Sequence, residues 1–285
     1  MNSSDFDFIS GLLRQRAGIV LTADKTYLLE SRLAPLARKE GLGSIEDLFK
    51  VVRTRRDERL IIQVVDVMTT NETFFFRDKT PFDHMKDTVL PNLMQTGARR
   101  LRIWCAACST GQEPYSLAML MDQSPTLTGG LPVEIVATDI SERVLEKAKS
   151  GLYSQFEVQR GLPIQLMMKY FTQKNDLWAI SDRLRSMVTF KKHNLMEAPA
   201  ALGKFDVVFC RNVLIYFDAP TKGQVLGRIS QLMNPGGYLI LGAAETVIGV
   251  TREFEAAKEK RGLYQLSSAT QSAGAPSVRA PIRAA

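Results

Sequence analysis

Apolar residues recur at helical spacing through the first third of the chain, then give way to short apolar runs separated by amphipathic stretches. Phe6, Ile9 and Leu13 form the first series, which stops at Gly18, with Ser4 and Asp7 resembling a capping box ahead of it. A second helix is predicted after Thr22, carrying Leu29, Leu33 and Leu36 as far as Gly41. Ser44 and Asp47 again resemble a capping box, opening a helix with Leu48, Val51 and Val52. Leu60, Ile61, Val64, Val65 and Met68 form the stripe of a fourth. These four predict a helical domain over residues 1–70, followed by a linker over 71–98.

From about residue 99 the period changes. Leu101 to Ala106, Val133 to Ala137, Phe205 to Cys210 and Tyr238 to Gly242 read as strands. Between them lie helices such as Tyr115 to Asp122, with Pro114 at its first position, and Glu142 to Ser150, capped by Ser141. Strands alternating with helices predict an α/β fold, a doubly wound parallel sheet covered on both faces, over 99–266. Residues 152 to 192 fit that alternation poorly. They mix a helix-like piece at Ile164 to Tyr170 with strand-like pieces at Leu177 to Ile180 and Met187 to Phe190, which predicts an inserted hairpin. The tail over 267–285 is Ser, Ala, Pro and Gly with two arginines and is expected to be disordered.

Composition narrows the class. An apolar content of 45% in 285 residues supports a packed core. No apolar run approaches the roughly 20 residues that span a bilayer, and Met1 to Ser10 has no basic segment leading an apolar one. A cytoplasmic protein without membrane insertion is expected. Cys105, Cys108 and Cys210 are too few for a disulfide scaffold. The net charge of +7 lies in the second region, since residues 1–88 carry 14 basic and 14 acidic side chains. The totals therefore give no basic nucleic-acid-binding arm at the N-terminus. Arg53, Arg55, Arg56 and Arg59 are a local exception, readable as a solvated helix face or as a docking patch for an acidic partner.

The candidate chemistry lies in four segments. Arg102 to Pro114 is a strand, a small-residue turn and a helix start, which lets backbone approach a nucleotide-like ligand, without the G-x-G-x-x-G of a dinucleotide site. Asp139 follows 28 residues after Gly111, where a carboxylate can accept both hydroxyls of a ribose or else cap a helix. Glu113 can serve the ligand or compensate a helix dipole. Asn71-Glu72-Thr73-Phe74-Phe75-Phe76-Arg77 sets three aromatics between polar groups at the seam of the two regions. Phe209-Cys210-Arg211-Asn212 ends a buried strand, with Tyr216 shortly beyond, where open α/β sheets place catalytic groups. Trp104-Cys105-Ala106-Ala107-Cys108 is similar to the thioredoxin redox motif, but Ser-Thr-Gly-Gln-Glu-Pro follows in place of a direct helix start. Zinc lacks ligand spacing, since only Cys210, His84 and His193 accompany that pair.

Taken together these segments resemble the chemotaxis receptor glutamate O-methyltransferases of the CheR type. The likeness runs from Ser4 to about Leu266 through N-E-T-F-F-F-R, A-C-S-T-G-Q-E-P-Y-S, A-T-D-I-S, H-N-L, F-D-V-V-F-C-R-N-V-L-I-Y-F and N-P-G-G-Y-L-I-L-G-A-A-E, six motifs in register. The resemblance implies an N-terminal helical domain and a Rossmann-like S-adenosylmethionine-dependent methyltransferase domain with a small inserted β-subdomain, placed at about 172–192. It implies that Asn71, Thr73 and Arg77 reach the cofactor from the linker and that Glu113 and Asp139 bind it from the strand ends. Asn194, Leu195, Arg211 and Asn212 would complete the pocket around adenine and methionine, with Tyr216 near the transferring methyl. Arg53, Arg55, Arg56 and Arg59 would dock the helical bundle of a chemoreceptor.

Two departures matter. Relatives that tether to a receptor's C-terminal pentapeptide carry a glycine-containing loop in the β-subdomain, and Thr172 to Ile180 is short and has no glycine, so no tight tether is expected. The closing strand reads G-A-A-E where some relatives have G-H-S-E, so no role for a histidine transfers there. The implied product is a glutamyl methyl ester, with S-adenosylhomocysteine as by-product, and Tyr216 and Arg77 are the candidate catalytic residues. The scarcity of histidine agrees with that chemistry, because a glutamate is already ionised at pH 7 and needs no general base. The alternatives are a nucleic-acid methyltransferase, for which Arg211-Asn212-Val213-Leu214 replaces the usual Asn/Asp-Pro-Pro-aromatic motif, and a non-catalytic receptor-binding module.

Overall fold

The computed structural model of this chain describes residues 3–198 and 202–267. Its first helix, α1 (Ser3–Ala17), buries Ile9, Leu13 and Ala17 and ends where Gly18 turns left-handed at φ +71. Ser4 lies inside α1, so the Ser4–Asp7 capping box is not its start. A 3-10 turn at Ala23–Lys25 leads into α2 (Thr26–Lys39), which buries Leu29, Leu33 and Leu36. The hydroxyl of Ser44 accepts from the Asp47 amide at 3.0 Å to cap α3 (Ile45–Arg55), and Asp57 caps α4 (Glu58–Met68). All five predicted stripe residues of α4 are buried. The four helices share one core, against which Ile140 packs from the α/β region.

The segment expected as a linker over 71–98 holds more order than that. After Phe75, fully buried with Tyr153 and Phe171 edge-on to its ring, come α5 (Lys79–His84), a π-helical turn at Met85–Val89 and α6 (Leu90–Met94). Phe82, Met85, Val89, Leu90 and Leu93 enter the core beneath one face of the large sheet. Their helical spacing was a signal the linker reading passed over.

The remaining elements follow in order. They are β1 (Leu101–Ala106), α7 (Gln112–Gln123), β2 (Val133–Asp139), α8 (Glu142–Ser150), β3 (Leu152–Ser154), α9 (Gln155–Gln159), α10 (Ile164–Tyr170), β4 (Phe171–Lys174), β5 (Leu177–Ile180), α11 (Asp182–Ser186), β6 (Val188–Lys192), β7 (Phe205–Cys210), a 3-10 turn at Leu214–Tyr216, α12 (Ala219–Gln231), β8 (Met233–Leu241), β9 (Phe254–Ala256) and β10 (Leu263–Leu266). Seven strands form one sheet in the order β6-β2-β1-β7-β8-β10-β9. The first five run parallel, β10 is antiparallel to β8, and β9 to β10. Every residue of β1 is buried, as a central strand covered on both faces requires. The fold is thus the expected α/β arrangement, preceded in sequence by a helical domain. Ala106 pairs with Thr138 and with Cys210, so β1, β2 and β7 end at one level and the turns that follow them converge there. The chain leaves β1 toward β2 on one side and has β7 on the other, the switch point at which such sheets bind ligands.

Three sequence expectations need correction. Residues 188–192, assigned to the inserted hairpin, pair with β2 as the parallel edge of the large sheet; the small sheet is instead β3-β5-β4, recruiting Leu152–Ser154. Strand β8 starts at Met233, five residues before Tyr238, because a register shift opposite Phe205 and Val207 accommodates Pro235, Gly236 and Gly237. Pro114 occupies the third position of α7, since Gly111 in a left-handed conformation (φ +92) already starts the helix. Residues 268–285 of the expected disordered tail lie outside the described residues.

Candidate functional site

The turns after β1, β2, β6 and β7 face the linker and the first two helices across a cavity of about 350 Å³. That volume lies in the range of pockets for small molecules and cofactors. Asn71, Thr73 and Arg77 line it from the linker, and Glu113 and Asp139 from the strand ends. Asn194 and Leu195 after β6, and Arg211, Asn212 and Tyr216 after β7, complete the expected set. All ten residues, from segments spread over 146 positions, thus meet around one space.

The turn after β1 is built to stay small. Ala107 and Ser109 have positive φ (59 and 51), and the Cys108 amide donates to Thr138 O at 2.9 Å. A Cβ on Gly111 would stand 2.9 Å from the Ala148 side chain and 3.1 Å from the Tyr153 hydroxyl. Asp139 ties this turn to the next: one oxygen accepts from the Ser109 amide at 2.8 Å and the other from the Ser141 amide at 3.0 Å. Ser141, not Asp139, caps α8. A carboxylate has about four acceptor positions, so Asp139 keeps capacity toward the cavity. Burial raises its pKa, opposed by those backbone donors.

Glu113, in the first turn of α7, meets Arg211, whose Nη1 donates to Oε2 at 2.7 Å. The Arg211 side chain is only 1% exposed, and its Nη2 donates to Asp78 Oδ2 at 2.9 Å and to the Arg77 carbonyl at 2.7 Å. Arg211 therefore braces the linker against α7, and its Nε is buried without a partner among the described residues. Burial raises the Glu113 pKa, which Arg211 partly offsets. Arg77 lies 5.6 Å from the centroid of Phe74 and donates to the Glu72 carbonyl at 2.7 Å. The Asn194 amide nitrogen donates to the Arg16 carbonyl at 2.7 Å, joining α1 to the loop after β6. Tyr216 is half-buried, its hydroxyl without a hydrogen-bond partner among the described residues, and its carbonyl accepts from the Val20 amide at 2.9 Å.

The loop that carries Asn212 and Tyr216 is held by Glu245, just past β8, a residue quoted only within a longer motif. Its Oε2 accepts from the amides of Asn212 (2.8 Å) and Gly242 (2.8 Å), and its Oε1 from those of Val213 (2.9 Å) and Leu214 (2.7 Å). Sequence reasoning also missed Lys25, Tyr27 and Arg32 of the helical domain, which line the cavity. No local pattern marks them, because only the docking of the two domains brings them there.

The four arginines proposed for docking do not form one free patch. Arg53 pairs with Asp5 at 3.2 Å and lies over Phe8, and Arg59 is forked onto Glu40 at 2.6 and 3.0 Å. Arg55 and Arg56 are exposed, with Arg56 in the left-handed conformation that ends α3. The three cysteines are buried free thiols, and burial pushes each well up, the reverse of what a redox nucleophile needs. Among the described residues no group of three His, Cys, Asp or Glu could hold a metal, and no helix is long and apolar enough to cross a membrane.

Comparison with known proteins agrees in extent and order. Residues 4–69 match the model of the CheR methyltransferase all-alpha domain, and residues 71–263 that of the CheR methyltransferase SAM binding domain. The chain is 47% identical to chemotaxis protein methyltransferase 1 of Pseudomonas aeruginosa, over 86% of this chain and 91% of that one. It is 41% identical to chemotaxis protein methyltransferase Cher2 of Pseudomonas putida, over 92% and 97% of the two chains. It is 43% identical to chemotaxis protein methyltransferase 1 of Vibrio cholerae, over 89% and 94%. The backbone is also similar, at 13% identity and a TM-score of 0.37, to the solved glycopeptide N-methyltransferase MtfA complexed with sinefungin, over 68% of this chain and 60% of that one. A helical domain and a cofactor-binding α/β domain, each matched in sequence, enclose the cavity at the strand ends, and the chain belongs to the CheR family of S-adenosylmethionine-dependent methyltransferases.

Proposed function

We propose that this enzyme methylates glutamate side chains on the cytoplasmic helices of chemoreceptors, forming glutamyl methyl esters for sensory adaptation, and that it works in the cytoplasm. The observation that carries this reading is the convergence of Asp139, Glu113, Arg77 and Tyr216 on one cavity between the two matched domains. The relatives' description as chemotaxis protein methyltransferases supports the receptor as substrate.

The residues present fit the cofactor. Asp139 retains acceptor positions for ribose hydroxyls, and the small turn over Ala107 to Gly111 permits close approach of a nucleoside. Arg211 Nε is a buried donor with no partner among the described residues, and Arg77 stands beside it on the linker, which suits a carboxylate of the methionine moiety. Asn194 and Leu195 would flank the adenine, with Asn71, Thr73 and Asn212 closing the remaining sides. When bound, S-adenosylmethionine supplies an electrophilic methyl group on a sulfonium sulfur.

The chain's own residues then have little proton chemistry to do. A glutamate with a reference pKa near about 4.3 arrives ionised at pH 7, so no base is required. Attacking carboxylate and sulfonium carry opposite charges that fade as the methyl moves, and a site that excludes water favours that change. Tyr216, whose hydroxyl has no hydrogen bond among the described residues, orients the incoming carboxylate, and Arg77 fixes the linker edge of the cavity. The enzyme's contribution is alignment. Arg55 and Arg56 would meet the acidic receptor helix, with Arg53 and Arg59 beside them. The β4–β5 connection is Asn175-Asp176, with Asn175 left-handed at φ 54, and this glycine-free two-residue turn supports the absence of a tight pentapeptide tether.

Methyl transfer to a receptor cytoplasmic fragment tests these roles. Tyr216→Phe and Arg77→Ala should each lower kcat/KM, and unchanged values in both would refute the assignment. A change confined to the cofactor Kd would move Arg77 to binding alone.

A further inference from the structure

The loop from Arg211 to Phe217 presents three successive amides, those of Asn212, Val213 and Leu214, to one point. Asn212 is left-handed (φ 57) and Val213 follows at φ −123, ψ −38, so the backbone curls into a concavity of N–H groups of the kind that binds anions. At the end of a parallel strand such a concavity ordinarily faces a ligand. Here the buried Glu245 fills it, each carboxylate oxygen taking two amides, with Gly242 supplying the fourth. Four charge-assisted bonds converge on one side chain, so the loop's shape depends on that side chain being a carboxylate of this length. Gly242 completes the arrangement: a Cβ there would stand 2.7 Å from Glu245 Oε2 and 2.9 Å from Asn212 Nδ2.

The far side of the same loop lines the cavity with Asn212, Val213 and Tyr216. Arg211 is anchored separately, through Glu113 and Asp78, so the start of the loop has its own fastening; Glu245 holds Asn212 to Leu214, and the Val20 amide meets the Tyr216 carbonyl at the far end. The hydroxyl of Tyr216 has no hydrogen bond among the described residues to hold it, so its place follows from the backbone of its loop, which the Val20 amide also grips at the Tyr216 carbonyl, and from the packing of its ring against the core. We infer that Glu245 is a positioning residue for methyl transfer, an internal anion that holds the Asn212–Tyr216 loop so that Tyr216 meets the substrate carboxylate. The inference rests on the role proposed above for Tyr216.

A glutamine at this position offers one oxygen where two are used and turns an amide group toward two N–H donors. Glu245→Gln should therefore loosen the loop while leaving the surrounding core filled. In transfer assays its kcat should fall by about tenfold or more, with the cofactor Kd changed by less than about threefold. Glu245→Asp, which restores the charge at shorter reach, should recover part of that loss. Combined with Tyr216→Phe, Glu245→Gln should cost far less than it does alone, because both act on one group. Should Glu245→Gln fail to fold, Gly242→Ala perturbs the same carboxylate from the strand side and should give the same kcat loss and the same non-additivity. Full activity in the folded variant, or losses that multiply with Tyr216→Phe, would overturn the inference. A silent Tyr216→Phe would instead sink the role of Tyr216, so the two failures are distinguishable.

Discussion

Replacing Arg211 with methionine would keep a long unbranched side chain in place and remove the counter-charge of Glu113. Arg211 is 1% exposed and the Glu113 side chain 11%, with 2.7 Å between them, so the carboxylate cannot fall back on water. Breaking one side of such a buried pair costs about 3–5 kcal/mol. Glu113 has one escape, to take up a proton, and that sets a ceiling. Against an unfolded-state pKa of about 4.3, keeping the carboxyl protonated at pH 7 costs about 3.7 kcal/mol, and at pH 5 about 1 kcal/mol. The lost bond to the Arg77 carbonyl adds about 1 kcal/mol at both pH values. Asp78 is 43% exposed, stays hydrated and contributes little. Burial already raises the Glu113 pKa, and loss of the guanidinium raises it further. A folded-state pKa above the unfolded one stabilises the fold at low pH, and that stability is lost as pH rises. The variant's deficit should therefore be about 2 kcal/mol at pH 5 and about 4–5 kcal/mol at pH 7. Urea unfolding of both proteins at the two pH values measures it. An equal deficit at pH 5 and pH 7 would refute the claim that the uncompensated charge of Glu113 is its source.

Four further outcomes follow from the geometry. Asp139→Asn keeps one acceptor oxygen of two and should weaken cofactor binding by about 1.5–3 kcal/mol in titration calorimetry; an unchanged Kd would remove Asp139 from the ribose site. Because burial raises the pKa of both Asp139 and Glu113, these carboxylates protonate above the usual range as pH falls. Affinity for the sulfonium cofactor should accordingly decline as pH falls below neutrality, more steeply than affinity for S-adenosylhomocysteine, which lacks the sulfonium charge, and parallel pH profiles would contradict this. Arg55→Glu and Arg56→Glu should raise KM for a receptor fragment several-fold, an effect that shrinks in high salt, whereas Arg59→Ala should do less because Glu40 already holds Arg59. Gly111→Ala places a Cβ 2.9 Å from Ala148 at a φ of +92 and should lower stability by about 1–3 kcal/mol, read as a drop in Tm.

Local chemistry made much of this legible. The cap at Ser141, the stripe of α4 and the apolar runs of β1 and β7 each follow from a few neighbouring residues, and the structure places them there. The ten cavity residues were named through the resemblance, which places seven of them at strand ends and Asn71, Thr73 and Arg77 in the linker, and all ten line the cavity. What escaped depends on distant pairing. Val188 to Lys192 has the pattern of any short strand, and only pairing with β2 assigns it to the large sheet. The arginine run cannot reveal that Asp5 and Glu40, 48 and 19 residues away, hold two of its members. Nor does the sequence around Arg211 disclose that its guanidinium is occupied by Glu113 and Asp78, or that Glu245 fills the loop beyond it.

The central claim is transfer of a methyl group to a receptor glutamate, and its most direct test is incubation with labelled S-adenosylmethionine. Two receptor cytoplasmic fragments would be compared, one natural and one with its candidate glutamates changed to alanine, followed by mild base. The account predicts label on the first fragment alone and its release as methanol, the mark of a glutamyl ester. Cofactor binding without any base-labile label, or equal label on both fragments, would contradict it.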